Sequence, residues 1–494
     1  MENAKSYHWT VSLPAAAIFL SCSLFLQTKK AIWVDECYSY YGITHKNPDA
    51  FLESIYSGIN FSPPLYFMMN WILQLIVDIP IELLRVESSL WICLGFLLIF
   101  LKCDRVFGFI PALVGCTMVL LQSDLLLGQS LEARHYGMFF ACSAGVLFMF
   151  PRDSKLPTSN HKVLYFAAHL ALCLTHYLGI AFSVLAAVVR LWDHREEDGF
   201  KRLFLSPEII CYAITIPIYL HLLAHQSSHL GDWFRPNDLP TLLSAYLNSL
   251  SPLTLLPLIV PLAFIPSKHL GKKNKIEGEQ KGSFRPLVRV VILWFLVPLF
   301  LWILSNCTKI NLFTDRYFIP KEAAFMILVL FGISKLMRRL GELKPLPARI
   351  VLLAPCLVSF GIFTLNAKRI HFSYHPSLNY HHWLLIQKEQ RKIIGEESIV
   401  YQGDHLFFPN LYSEKNAQHF LLINEPELQT TYAKFSSKIN CMQKDSLRLL
   451  DNFHFISSDG ELPKTFDVPH SMTPPEHLSE NSPAVIRSYF KNIP

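Results

Sequence analysis

The stretch "SPPLYFMMNWILQLIVDI" (62–79) decides how the whole chain is threaded. It is apolar enough to enter a bilayer, and its length approaches the roughly 20 residues a helix needs to cross the hydrocarbon core. A crossing here would exchange the two membrane faces for every later loop. Its Trp, Tyr and paired prolines also suit a helix lying at the interface, with its amphipathic side seated on the lipid.

The basic loops choose between these readings. Lys and Arg are concentrated in "LKCDRVFG" (101–108), "PRDSKLPTSNHK" (151–162), "RLWDHREEDGFKR" (190–202), "SKHLGKKNKIEGEQKGSFRPLVR" (267–289) and "SKLMRRLGELKPLPAR" (334–349). Cytoplasmic loops carry such an excess. All five share the cytoplasmic face only if 62–79 does not cross. Spans are then expected near 11–29, 88–102, 109–127, 137–150, 163–178, 179–192, 206–224, 246–266, 287–305, 319–335 and 349–366. That is about eleven crossings, with the N-terminus cytoplasmic and residues 31–87 forming one long external loop.

Composition agrees with an all-α polytopic membrane protein. Hydrophobic residues make up 51% of the 494 and charged residues 17%, against about 25% charged in soluble domains. The net charge of +6 comes mostly from those short loops. No basic patch with interleaved aromatics and no zinc-finger spacing is present, which sets nucleic acid aside. The eleven cysteines lie mostly in apolar runs, where Cys behaves as a small hydrophobe. Only Cys37, Cys307 and Cys441 are expected outside. The first apolar run has no small-residue cleavage site after it and reads as a retained span.

This threading gathers the unusual polar residues on the external face. Asp35 and Glu36 of "AIWVDECYSYY" (31–41) open the first loop; "SPPLYF" (62–67) and "LRVESS" (84–89) close it. "QSLEARHYGM" (129–138), "LTHYLG" (174–179), "HQSSHLGDWFRP" (225–236) and "NLFTDRYFIP" (311–320) join later spans on the same side. Taken singly, each has a plain explanation. A "DE" pair marks a helix boundary, "HY" anchors in the headgroup zone, "PP" starts a helix, and "RY" is an interfacial pair. Together they bring acids (Asp35, Glu36, Glu132, Asp315) and cations (Arg85, Arg134, Arg316) to one face, with Asp124 near it. Ionisable residues at membrane depth are expensive and mark pathways or sites. The mixture suits a reaction that needs a base and holds an anion.

In order, these elements resemble the lipid-linked-sugar transferases of the integral-membrane glycosyltransferase class. That class includes the protein O-mannosyltransferases (family 39) and the bacterial aminoarabinose transferase of lipid A. The acidic pair, "PPLY", Arg followed by Ser, "EARHYGM", "HYLG" and "DRYFIP" follow the family's sequence over about residues 30–335. Ser62 stands where the family has His, and Glu87 where bacterial members often have Pro. The resemblance implies transfer of one sugar from a polyprenyl-phosphate donor to a hydroxyl on an envelope glycolipid, glycan or protein, in a bacterial inner membrane. In that reading Asp35 is the base and Glu36 assists it by a hydrogen bond or by raising its pKa. Arg85, Arg134, Arg316 and Tyr317 hold the donor phosphate. Pro64, Tyr66, Asp124, Glu132, Tyr136, His176 and Tyr177 line the substrate path. A single displacement inverts the anomeric centre. A divalent cation is left open, since oxygen-ligand sites have no fixed spacing across loops.

The transmembrane part is expected to end at residue 366. Residues 367–494 alternate β-like runs, "ESIVYQG" (397–403), "HFLLINEP" (419–426) and "NFHFISSDG" (452–460), with helical stretches such as "HHWLLIQKEQRKIIG" (381–395). They read as a small external α/β domain. Besides a non-catalytic scaffold whose external domain binds partners, the main rival reading is a transporter or flippase. Against it, no internal repeat is visible and the polar groups gather at one face, not at the midplane.

Overall fold

The structure is a computed structural model. It describes residues 9–28, 30, 32–151, 158–194, 206–226, 238–247, 285–308, 313–340 and 358–367, and in the C-terminal part the strands with residues 436 and 440. The expected span at 246–266 falls almost wholly outside these residues. So do most of 225–236 and 267–289, parts of the loops 151–162 and 190–202, and the helix expected at 381–395.

The described transmembrane part is helical: α1 (Trp9–Gln27), α2 (Val34–Ile43), α3 (Pro48–Tyr56), α4 (Leu65–Gln74), α5 (Ile81–Phe107), α6 (Phe109–Gln122), α7 (Asp124–Ser130), α8 (Tyr136–Met149), α9 (Ser159–Thr175), α10 (Gly179–His194), α11 (Pro207–Gln226), α12 (Leu239–Leu247), α13 (Arg285–Cys307) and α14 (Pro320–Leu340). A shorter apolar helix, α15, runs over Val358–Ala367. By length and apolarity α5, α11 and α13 qualify as spans, and α6 with α7 makes a fourth, bent by 68°. The count of eleven is therefore not reached among the described residues. Several apolar runs form helices that are short for a crossing: α8 has 14 residues, about 21 Å at 1.5 Å per residue.

The deciding stretch 62–79 does not cross. Pro64 caps α4, which has only 10 residues, about 15 Å of helix. Gln27 at the end of α1 donates to the carbonyl of Arg85 at the start of α5 at 3.0 Å, while Cys93 meets the carbonyl of Ala16 farther along both helices. The two helices are thus antiparallel neighbours, and α2–α4 return to the side they left. Phe51 stacks on Trp71 at 4.7 Å, and Trp71 donates to the carbonyl of His45, which folds α3 and α4 into one cap.

The core lies where α5, α8, α6 and α14 meet, filled by Phe96, Phe100, Phe139 and Phe140, and continues to Trp294 of α13 against Phe182 of α10, all fully buried. Close helix approach is built into the sequence at Gly137. A Cβ there would sit 2.5 Å from the carbonyl oxygen of Ser88, so only glycine lets the start of α8 press against α5.

Beyond residue 397 the strands form one mixed sheet of order β3-β2-β1-β4-β7-β5, with β6 paired to β7. Here β1 is Ser398–Gln402, β2 Gln418–Ile423, β3 Cys441–Gln443, β4 Asn452–Ser457, β5 His470–Met472, β6 Glu476–His477 and β7 Val485–Lys491. β1, β2, β3 and β4 run parallel; β7 runs antiparallel to β4, β5 and β6. Parallel neighbours need long crossovers, and those crossovers fall largely outside the described residues. Three strands match the sequence expectation; β7, though the longest, does not.

Candidate active site

The site is assembled at one end of the helices. It draws on the start of α2, the turn before α4, the start of α5, the α7–α8 turn, the α9–α10 turn and a 3-10 turn at Asp315–Phe318 before α14. These are the external segments of the sequence reading, now brought together.

Asp35 and Glu36 both lie in the first turn of α2, where the helix dipole favours negative charge. Adjacent helical residues point about 100° apart, so the two carboxylates face different partners. Glu36 turns into the protein and is fully buried. Its oxygens accept from Arg85 Nε and Nη2, each at 2.7 Å, from the Ala133 amide at 2.9 Å and from the Trp33 amide at 2.9 Å. Lys30 Nζ stands 3.5 Å away and reaches Glu132 at 3.6 Å. The remaining Arg85 donor, Nη1, goes to the carbonyls of Gln27 and Lys30, at 3.3 and 3.0 Å.

Asp35 faces the other way. Arg316 Nη1 donates to its Oδ2 at 2.7 Å, and Arg134 Nη2 lies 3.7 Å from the same oxygen. Arg134 is held from behind: its Nη1 donates to the main-chain carbonyl of Asp35 at 3.0 Å and to Asn60 Oδ1 at 3.2 Å. Asn60 is fixed in turn by donating to the Tyr38 carbonyl, and Ser88 Oγ donates to the Arg134 carbonyl at 3.1 Å. The Nε atoms of Arg134 and Arg316 are both buried without a hydrogen-bond partner among the described residues.

The electrostatics follow the contacts. Burial alone would raise the Asp35 carboxyl, but Arg134 and Arg316 hold it down at about 2. Burial also opposes ionisation of Glu36, yet Arg85 and Lys30 bring it to about 2. Glu132 moves the other way: burial pushes it up, and the nearby Glu36 and Asp35 add to the push against the pull of Lys30.

An aromatic wall closes one side. His176 stacks on Phe139 at 4.7 Å and meets Tyr317 at 4.8 Å and His135 at 5.4 Å. Tyr136 lies under both guanidinium groups, 5.9 Å from Arg134 and 5.6 Å from Arg316. Burial and the two arginines hold the His176 imidazole at about 3, so it is neutral. The Leu178 amide donates to its Nδ1, which puts the ring proton on Nε2. The residue is therefore a hydrogen-bond donor. His135 Nε2 meets Ser62 Oγ at 3.3 Å, so Ser62 takes a structural place beside the wall.

The remaining expected residues fall as follows. Tyr66 is buried edge-on to Phe67 and faces His135 at 6.2 Å. Its hydroxyl has no hydrogen-bond partner among the described residues. Tyr177 spends its hydroxyl on Gln226 at 2.7 Å, and Gln226 donates to the Ile55 carbonyl, a strut between α11 and the α3–α4 cap. Asp124 opens α7 at the bend, and Ser123 caps that helix by accepting from the Leu126 amide. Glu87 accepts from Trp91 one turn along α5.

Two sequence expectations change. Arg85 spends its guanidinium mainly on Glu36 and on the carbonyls of Gln27 and Lys30, which moves the proposed phosphate role toward Arg134 and Arg316. Glu36 turns to Arg85 and not to Asp35, and Asp35 lies below its ordinary value because the pull of Arg134 and Arg316 outweighs its burial. The sequence reading missed Lys30, Gln27 and Asn60. Lys30 had a signal: "KK" at 29–30 places cations at the external end of the first span, against the inside bias. Among the described residues no group of three or more His, Cys, Asp or Glu could hold a metal.

Comparison with known proteins bears on the fold. No family model matches the chain, and no curated protein matches it. Among solved structures, ArnT from Cupriavidus metallidurans bound to undecaprenyl phosphate superposes with a TM-score of 0.61 at 14% identity, covering 96% of this chain and 97% of that one. The apo state of the same protein gives 0.62 over the same shares. The chain therefore has, nearly end to end, the fold of the membrane transferases its motifs resemble.

Proposed function

We propose that this protein is an integral-membrane glycosyltransferase. It moves a single hexosyl or pentosyl unit from a polyprenyl-phosphate carrier to a hydroxyl of an envelope glycolipid, glycan or protein at the external face of a bacterial inner membrane. The observation that carries this reading is the pair of guanidiniums, Arg134 buried and Arg316 half-buried, flanking one carboxylate with both Nε atoms buried and unspent among the described residues. Arginine grips phosphate through parallel N–H bonds. The fold shared with a protein solved with undecaprenyl phosphate supports placing a lipid phosphate there.

In this mechanism Asp35 takes the proton of the acceptor hydroxyl as that oxygen forms its bond to the anomeric carbon. The bond from that carbon to the phosphate oxygen breaks on the opposite face, inverting the centre. The leaving phosphate departs as an anion and needs cations, not a general acid. The local charges favour this. Lys30, Arg85, Arg134 and Arg316 face Asp35, Glu36 and Glu132, leaving one positive charge over, which matches a phosphodiester donor. When Asp35 takes its proton a second cation is released, just as the freed phosphate gains its second negative charge.

Glu36 and Arg85 set the frame that holds α2 to α5. Tyr317 and the Nε2–H of His176 stand beside the phosphate position, while Tyr136, Tyr66 and Pro64 wall the sugar path with Glu132 at its edge. Asp124 remains a candidate along α7. The C-terminal domain, residues 367–494, lies on the same external side as the site, and the N-terminus is cytoplasmic.

The test incubates the purified protein in lipid nanodiscs with radiolabelled polyprenyl-phosphate sugars and an envelope extract. Transfer of label from carrier to an acceptor, with inverted anomeric configuration, is the expected result. Movement of intact donor across a proteoliposome membrane without loss of its sugar would establish the transporter instead.

A further inference from the structure

The two arginines on Asp35 are not equivalent. Arg134 is built in: its side chain is 10% exposed, its Nη1 is tied to Asn60 and to the Asp35 carbonyl, and its own carbonyl is held by Ser88. Arg316 sits on a four-residue 3-10 turn, and its side chain is 32% exposed. Among the described residues, its one hydrogen bond is to Asp35, and the Tyr136 ring lies below it. It is nevertheless the closer of the two cations to the Asp35 carboxylate, by a full ångström.

We infer that Arg316 is an exchangeable counterion that keeps Asp35 unreactive until a lipid phosphate takes its place, Arg134 remaining as the fixed anchor. This rests on the donor-phosphate reading above and deepens it. A carboxylate clamped by two guanidiniums is a poor proton acceptor, because a base works best when its pKa lies near the working pH. A phosphodiester arriving at the free Nε edges competes for Arg316 with two strong, charge-bearing acceptor oxygens. Once Arg316 turns to the phosphate, Asp35 loses its nearest attraction. Its burial, which favours the protonated form, stays. Donor binding would thus produce the base, so the acceptor is activated only when there is a sugar to receive.

The groups facing Asp35 are Arg134, Arg316, Glu132 and Tyr136, with Glu36 and Cys37 beside it on α2 and His176 across the two arginines. Of these, Asp35, Glu132 and His176 are the ones able to take a proton when the phosphate binds between pH 4.5 and 7.5.

The experiment measures binding of a polyprenyl methyl phosphodiester, which carries a single non-titrating charge and no sugar. Full-length protein in nanodiscs is titrated calorimetrically in two buffers of different ionisation enthalpy across that pH range. The proposal expects proton uptake on binding at the acid end. Affinity should rise by up to about tenfold per pH unit below the bound-state pKa of Asp35. Asp35→Asn should bind more tightly than wild type at pH 7.5 and show no linkage, while Glu132→Gln and His176→Gln keep it. Binding of the wild type with no proton uptake and a flat pH profile overturns the exchange and leaves the donor-phosphate reading intact. Linkage that survives in Asp35→Asn also overturns it. Failure of the wild type to bind the lipid at any pH removes both.

Discussion

Replacing Glu36 by Gln separates the frame of this site from its chemistry. In the folded protein Glu36 is fully buried and accepts four hydrogen bonds, two of them from Arg85. Its carboxyl, ordinarily near 4.5, is held at about 2. A difference of that size between folded and unfolded states is worth about 3 kcal/mol at neutral pH. It agrees with the roughly 3–5 kcal/mol lost when one partner of a buried ion pair is removed. Glutamine fits the space but leaves Arg85 and Lys30 without their anion. Glu36→Gln should therefore lower stability by about 3 kcal/mol, measured by unfolding of the purified protein in mixed micelles. The double variant Glu36→Leu/Arg85→Met removes both charges at once and should recover most of the loss. A Glu36→Gln protein as stable as wild type but devoid of transfer would refute this assignment and return Glu36 to the chemistry.

Arg134→Lys and Arg316→Lys keep the charge but lose the fork; each should raise the donor KM by about tenfold or more, from the loss of a charge-assisted bond worth roughly 1.5–3 kcal/mol, in steady-state transfer assays. Asp35 and Glu36 are both held at about 2, below their ordinary values of 3.8 and 4.5. Their stabilisation is thus fully present above pH 5 and drains away as pH falls toward 2. Together they should cost about 3 kcal/mol between pH 6 and pH 3, read from unfolding midpoints, and the loss should halve or more in Glu36→Gln. Gly137→Val would drive a side chain into the Ser88 carbonyl. It should destabilise by roughly 1–3 kcal/mol and, by pushing α8 off α5, impair donor binding as well, measured by melting and by lipid-phosphate affinity.

The helical, membrane-spanning class of the fold was legible in the sequence because membrane folding is written in long apolar runs and in loop charge; the number of spans was not. The lysine- and arginine-rich loops kept 62–79 from crossing, and α4 is indeed too short to cross. The convergence of "DE", "EARHY", "HYLG" and "DRYF" on one face was legible for the same reason: parity places turns without any knowledge of packing. The pairing within that face was not. Sequence order cannot say that residues 35 and 36, one helical step apart, turn toward Arg316 and Arg85 respectively. Nor can it say which arginine is spent on a carboxylate and which keeps a free donor. Asn60 carried no signal, being an ordinary polar residue in the turn before α4. Lys30 did carry one, as a cation on the wrong side of a charge asymmetry. In the C-terminal sheet β7, "VIRSYFK" (485–491), reads weakly as a strand because Arg and Lys interrupt its apolar alternation. It is recruited by pairing with β4, β5 and β6.

The central claim is that Asp35 is the base and the arginines beside it hold the lipid phosphate. Its most direct test compares wild type and Asp35→Asn for single-turnover transfer from a radiolabelled polyprenyl-phosphate sugar, at donor concentrations that saturate both proteins. The account predicts that Asp35→Asn binds the donor at least as well as wild type and yet transfers its sugar at least about a hundredfold more slowly. Equal transfer rates for the two proteins, with donor bound in both, would contradict it.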